Sequence, residues 1–236
     1  VLFRSVTTGR LGAFVGLTTE NYLRVFTDPE ILPMMNNSLV YAAGSAILGT
    51  GLGAMLAWIV ARTNTPGKTL VELMPIYPLL MPPIMDNIAW ILLLAPKSGI
   101  LNSFLRESWG IQEQVFNAFS LPAMIWVFGL ACVPLGYLFL LPVFLSFDPS
   151  LEESAYIAGS KPMHTMLRIT FPLAIPAFLS TLVLNFLRGL RSFGTPVLQG
   201  SPGGINVFVS KVYDSMSLEY NPGLATAYSS ILILLS

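Results

Sequence analysis

Residues Ile31 to Ala61 read ILPMMNNSLVYAAGSAILGTGLGAMLAWIVA, 31 residues without one Asp, Glu, Lys or Arg. A bilayer core about 30 Å thick takes roughly 20 apolar residues as helix, so this run can cross it. Backbone groups in hydrocarbon must bond within their own segment, and a run this long is no barrel strand. The same signature recurs outward from it. Gln114–Phe147 holds 34 charge-free residues, Ile169–Leu187 holds 19 and Tyr220–Ser236 holds 17. Leu73–Pro96 is equally apolar but carries Asp86. Five spans follow, near 37–61, 70–95, 119–146, 173–195 and 222–236. The expected fold class is an all-α membrane protein, a polytopic helical bundle.

Composition agrees. Only 24 of the 236 residues are charged, 12 Lys+Arg against 12 Asp+Glu. That is 10%, where soluble domains carry about 25%. Hydrophobic residues make up 54%, and mean hydropathy is +0.70. Zero net charge excludes a basic nucleic-acid footprint. A single Cys (Cys132) excludes a disulfide framework and a cysteine zinc cluster, and a single His (His164) excludes a multi-histidine metal site.

In the first run Ala42, Ala46, Gly49, Gly53 and Ala57 recur at helical spacing, which lets helices approach closely in lipid. Between runs, Arg62–Thr69 is short and basic with a Pro66-Gly67 turn signal. Lys97–Phe116 is longer and mixed in charge. In 199–221, Ile205, Val209, Val212, Tyr213 and Met216 suggest a short helix lying at the membrane surface. Alternation puts 62–69 and 148–171 on one side with four basic residues, against eight opposite, while 62–69 is the densest in basic charge. Charge alone leaves the orientation open.

The most specific stretch is Asp148 to Pro176, DPSLEESAYIAGSKPMHTMLRITFPLAIP. Asp148-Pro149 opens a helix with Pro in its first turn, and Ser150 with Glu153 fits a capping box. Leu151, Ala155 and Ala158 share a helical face, and Gly159 ends the helix as a residue tolerating positive φ. Lys161-Pro162 starts a second short helix expected to end near Ile169, before Phe171-Pro172 leads into the next span. The expectation is two short helices joined at a glycine, a stiff elbow rather than a Gly/Ser linker.

These residues resemble a known family, the integral membrane permeases of binding-protein-dependent ABC importers. Their pattern runs Glu-Ala-Ala, three residues, Gly, nine residues, Ile, one residue, Leu-Pro. Here Glu153-Ser154-Ala155, Gly159, Ile169 and Phe171-Pro172 fall on that spacing, with Ser154 for Ala and Phe171 for Leu. The stretches 17–22 (LTTENY) and 58–68 (WIVARTNTPGK) are similar to flanking segments of such permeases. The stretches 89–102 (AWILLLAPKSGILN), Phe193–Pro196 and 203–208 (GGINVF) look like the ferric-iron subgroup.

The resemblance implies a type I ABC importer permease with five spans visible of a six-span core, the first missing and the last truncated. It implies a segment 1–35 on the periplasmic side and a transmembrane domain 36–236 with a cytoplasmic coupling loop 148–172. Within that loop it carries over to Glu152, Glu153, Ala155, Gly159, Ser160, Ile169 and Pro172. The implied partners are ABC ATPase subunits, which bind the ATP, a periplasmic substrate-binding protein, and a second permease half, fused or separate. The setting is a bacterial inner membrane, crossed several times, and no cofactor of the chain's own is expected. Ferric iron is the expected substrate, with thiamine, polyamine and phosphonate as alternatives.

Three further side chains are candidates for the translocation path. Asp86 is the only acid deep in a span and follows Pro82-Pro83, so it or Asn87 can cap a restarted helix or line the path. Asn185 can line the path or bond another helix. Arg188 and Arg191 fall near the far interface, where long basic side chains snorkel. An intramembrane enzyme needs a nucleophile with a base, or paired acids, at membrane depth; the lone His sits in a polar loop and Asp86 has no acidic mate in any span. An ion-gradient-driven secondary transporter, with its broken helices and buried ionisable groups, is the remoter alternative.

Overall fold

A computed structural model describes Thr7–Thr8, Gly16–Leu17 and residues 19–235. Much of the expected 1–35 segment, at 1–6, 9–15 and 18, lies outside the described residues, as does Ser236. Thr7–Thr8 and Gly16–Leu17 pair antiparallel, Thr7 opposite Leu17. The rest is helical. In chain order the helices are α1 (Glu20–Thr27), α2 (Ile31–Arg62), α3 (Lys68–Leu80), α4 (Pro83–Leu94) and α5 (Ile100–Trp109). They continue with α6 (Leu121–Ser146), α7 (Pro149–Ile157), α8 (Pro162–Leu190), α9 (Phe208–Ser217) and α10 (Pro222–Leu235).

Helices α2, α6 and α8 are each long and apolar enough to cross a membrane, and α10 is a shorter apolar helix. The expected span 70–95 carries the break read at Pro82-Pro83: it is two helices, α3 and α4, interrupted between Leu80 and Pro83, and α3 tightens to 3₁₀ geometry from Met74. Pro75, Pro78, Pro82 and Pro83 supply no amide hydrogens, so a continuous ladder cannot form there. The expected end of the fourth span at 195 is corrected, since α8 stops at Leu190.

The chain folds as two compact units. One holds 1–43, 82–127 and 187–236; the other holds 44–81 and 128–186. In the first, Val25, Met34, Phe208, Ala227 and Tyr228 form the apolar core. The Tyr228 hydroxyl donates to Asp28 Oδ2 (2.6 Å), and the Phe208 amide donates to Ser38 Oγ (3.0 Å). The expected helix in 199–221 is present as α9, but its buried residues are Phe208, Ser210 and Ser215, while Tyr213 and Met216 are exposed. The 97–116 connection, read from sequence only as a loop, contains α5. Asn102, almost fully buried, clips it: its side-chain amide donates to the Ala95 and Phe116 carbonyls (3.0 and 2.8 Å) and accepts from the Phe116 amide (3.0 Å).

In the second unit, Ala54, Ala57, Val60, Tyr137, Leu140, Phe144 and Ala174 form the core. The small-residue stripe of α2 does what its spacing predicts. A Cβ on Gly53 would stand 2.6 Å from the Tyr137 amide nitrogen and 2.7 Å from Gly136, so α2 and α6 touch backbone to backbone.

Candidate functional site

The elbow lies wholly in the second unit. Its first helix, α7, starts at Asp148, whose Oδ1 accepts from the Ser150 amide (2.9 Å), with Pro149 as first helical residue. The Ser150–Glu153 capping box is therefore corrected. Ser150 lies inside the helix, where its carbonyl accepts from the Ser154 hydroxyl (2.7 Å). The bonds from the amide and hydroxyl of Ser150 hold the Asp148 carboxyl below the usual carboxylate range.

The helix ends as a Schellman motif. The Ser160 amide donates to the Ala155 carbonyl and the Gly159 amide to the Tyr156 carbonyl, each at 2.9 Å. Gly159 has φ +85°, which a side-chain-bearing residue rarely adopts. Ser160 Oγ then accepts from the buried Thr165 hydroxyl (3.0 Å), which joins the turn to α8.

The expected second short helix is corrected as well. It does not end near Ile169 but continues from Pro162 to Leu190 as one helix. Inside it, Met166–Thr170 widens into a π-turn, the Phe171 amide bonding the Met166 carbonyl five residues back. Pro172 has no amide hydrogen for the Arg168 carbonyl, so the ladder must shift register there. Pro196–Gly200 widens in the same way, two residues before Pro202. Ile169 and Pro172 of the family pattern thus mark a π-turn within a continuous rod from elbow to membrane.

The two adjacent glutamates of the elbow separate. Glu153 is exposed. Glu152 turns inward: its Oε1 accepts from the Thr170 hydroxyl (2.6 Å) and stands 3.8 Å from Arg62 Nε. Sequence reasoning missed Arg62 and Thr170. The available signal was that Arg62 directly closes a 31-residue charge-free run, so its side chain must find a partner at the membrane edge. The outer face of the elbow offers Ile157 (89% exposed), Tyr156, Met163 and Leu167, beside an open concavity of about 570 Å³ rimmed by Gly159, Lys161, His164 and Arg168.

The path candidates fall in both units, Asp86 and Asn87 in the first and Asn185 in the second. Asp86 sits part-exposed in the first turn of α4, where Pro82 is the N-cap and, among the described residues, no side chain caps the amides. Trp90 lies one turn on from it. Asn87 is buried, donating to the Pro83 carbonyl (2.7 Å) and accepting from Gln199 Nε2 (3.4 Å). The expectation that Asp86 or Asn87 caps the restarted helix is therefore not met. Asn185, fully buried, donates to Thr50 Oγ1 (3.0 Å) and the Cys132 carbonyl (3.4 Å), so it bonds helices to each other.

α2, α6 and α8 are apolar helices long enough to cross a membrane, and a capped turn at Gly159 leads into the last of them. The structure matches that of a bacterial ABC transporter involved in the import of the acidic polysaccharide alginate, with a TM-score of 0.80 at 19% identity, over 94% of this chain and 80% of that one. Residues 49–236 match the family described as the binding-protein-dependent transport system inner membrane component, and the chain belongs to it. A "Probable sulfate transport system permease protein cysT" of Helicosporidium sp. subsp. Simulium jonesii is 27% identical over 209 residues, 89% of this chain and 75% of the relative. The ferric transport system permease protein FbpB of Actinobacillus pleuropneumoniae is 25% identical over 198 residues, 82% of this chain and 28% of the relative. The chain thus spans under a third of the ferric relative. The expected ferric subgroup is not singled out, because a sulfate relative stands at similar identity.

Proposed function

We propose that the chain is one permease half of an ATP-driven importer in a bacterial inner membrane, with its 148–172 elbow facing the cytoplasm. The observation that carries this reading is the elbow itself: a capped helix, a Schellman turn at positive φ and a helix running on unbroken into a span. A rod of this kind passes displacement on, where a loose linker absorbs it. Cytoplasmic ATPase subunits dock on the exposed apolar face around Ile157, Glu153 meets them, and they bind and hydrolyse the ATP. A periplasmic binding protein delivers the substrate, and a second permease half completes the path.

The substrate in this reading is ferric iron, with thiamine, polyamine and phosphonate as the alternatives. Ferric iron is the ion that the sequence resemblance names. Asp86, a part-exposed carboxylate in the broken span, attracts a hard cation and repels an oxyanion. The test is uptake into proteoliposomes holding the chain, its ATPase and the loaded binding protein, with ferric iron, sulfate, thiamine, polyamine and phosphonate in turn. ATP-dependent accumulation of ferric iron is the expected result. Accumulation of sulfate instead reassigns the substrate. Uptake driven by an ion gradient without the ATPase overturns the reading in favour of a secondary transporter.

A further inference from the structure

Arg62 closes α2, and its guanidinium meets two other segments. Nη2 donates to the Phe147 carbonyl (2.7 Å), one residue beyond the end of α6, where the helix dipole is negative. Nε stands 3.8 Å from Glu152 Oε1 in the first turn of α7. Glu152 Oε1 also accepts from the hydroxyl of Thr170, the last residue of the π-turn in α8. One ion pair thus gathers the ends of two spans, the elbow helix and the root of a third span. The side chains are 9% and 14% exposed, so water screens the pair little.

We propose that Arg62 and Glu152 form a clasp that positions the elbow for energy coupling, an inference that rests on the permease reading above. Two features of the contact carry it. Separating a buried charge pair leaves each charge unpaired at low dielectric, so movement of α7 away from α2 is opposed. The pair is also incompletely closed. Nε is buried and has no hydrogen-bond partner among the described residues, and 3.8 Å is beyond hydrogen-bonding distance. A small inward shift of α7 gives Nε its acceptor. A partner pressing on the exposed outer face at Ile157 therefore tightens the clasp and carries α2 and α8 with it. Glu153, one residue on and exposed, cannot do this; within the acid pair, Glu152 holds the elbow to the spans and Glu153 is left for the partner.

The test uses the whole transporter, reconstituted with its ATPase and loaded binding protein, and reads ATP hydrolysed per substrate imported. Arg62→Met and Glu152→Gln each break the clasp. The double variant Arg62→Met/Glu152→Leu also breaks it but leaves no unpaired buried charge, so it folds where the single changes fail. The expected result is wild-type ATPase retention in the double variant, with hydrolysis per imported substrate raised about fivefold or more, the low end of ordinary intersite coupling. Hydrolysis should also lose its dependence on the binding protein, which a merely structural role would not change. Wild-type stoichiometry in an assembled double variant overturns the clasp. So does failure of both the double variant and Thr170→Val to assemble, because the pair would then serve folding. A wild-type chain that imports without any ATPase overturns the permease reading and the clasp with it.

Discussion

Asn185 Nδ2 donates to Thr50 Oγ1 over 3.0 Å, between α8 and α2, with Asn185 fully buried. The carboxamide also reaches the Cys132 carbonyl of α6 at 3.4 Å, so one side chain bonds three spans together. Interhelical bonds of this kind are worth about 0.6 kcal/mol on average in membrane proteins. A double-mutant cycle of Asn185→Ala and Thr50→Val, read by thermal unfolding in detergent, is expected to show a coupling of that size. Transport per inserted molecule is expected to stay at the wild-type level; a selective loss of transport with stability intact would return Asn185 to the path.

Gly53 and Gly51 are expected to behave oppositely. A Cβ at Gly53 would stand 2.6–2.7 Å from the backbone of Gly136 and Tyr137, and backbone cannot step aside as a side chain can. Gly53→Ala is expected to lower stability by about 1–3 kcal/mol, as overpacking does. A Cβ at Gly51 meets nothing within 4 Å, so Gly51→Ala is expected to be neutral or slightly stabilising, because Ala is the better helix former. Unfolding midpoints of the two variants against wild type check the contrast.

Gly159 is a conformational requirement without a packing one. Its φ is +85°, yet an added Cβ would have open space. Gly159→Ala is expected to cost about 1–2 kcal/mol in backbone strain, and Gly159→Asn less, since Asn tolerates the left-handed region. In the isolated chain Gly159→Asp should insert and fold. Loss of the ATPase on co-purification beyond that loss of stability would come from the partner surface, whereas retained ATPase with normal transport would confine the glycine to the turn.

Asp28 gives the structure a pH dependence. Burial raises its pKa, but the Tyr228 hydroxyl, the Glu30 amide and the charge of Lys211 together outweigh burial and leave it below the ordinary carboxylate value. A depressed folded pKa contributes stability above the unfolded value of about 3.9, and that contribution is lost as pH falls through the folded value. Asp28→Asn is therefore expected to be less stable than wild type at neutral pH. The gap should close as the pH falls below about 4. Melting curves from pH 7 to 3 check it, and a gap independent of pH would assign the effect to packing.

Much of this architecture was legible because membrane spans are selected by length and charge. The charge-free runs located α2 to within one residue and enclosed α6 and α10. The interruption before Pro83 was legible in the Pro82-Pro83 pair and not in hydropathy, which does not register a missing amide hydrogen. In the elbow, Gly159 and Pro149 were legible because their backbone constraints are local. The roles of Glu152 and Glu153 were not. Which of two adjacent acids turns inward depends on where Arg62 and Thr170 stand, 90 residues before and 18 residues after Glu152. Asn185 likewise needed its neighbours: an amide in a span pairs with another helix or faces water, and only the packing distinguishes the two.

Site-specific photocrosslinking of the assembled transporter asks directly whether the elbow receives the ATPase. Ile157 is 89% exposed on the elbow and Trp109 is 72% exposed at the end of α5, in the 97–116 connection that span alternation puts on the side opposite the elbow. With a photoreactive residue at each position in turn, Ile157 is expected to join to the ATPase subunit and Trp109 is not. Crosslinking of the ATPase from Trp109 and none from Ile157 would contradict both the docking surface and the orientation.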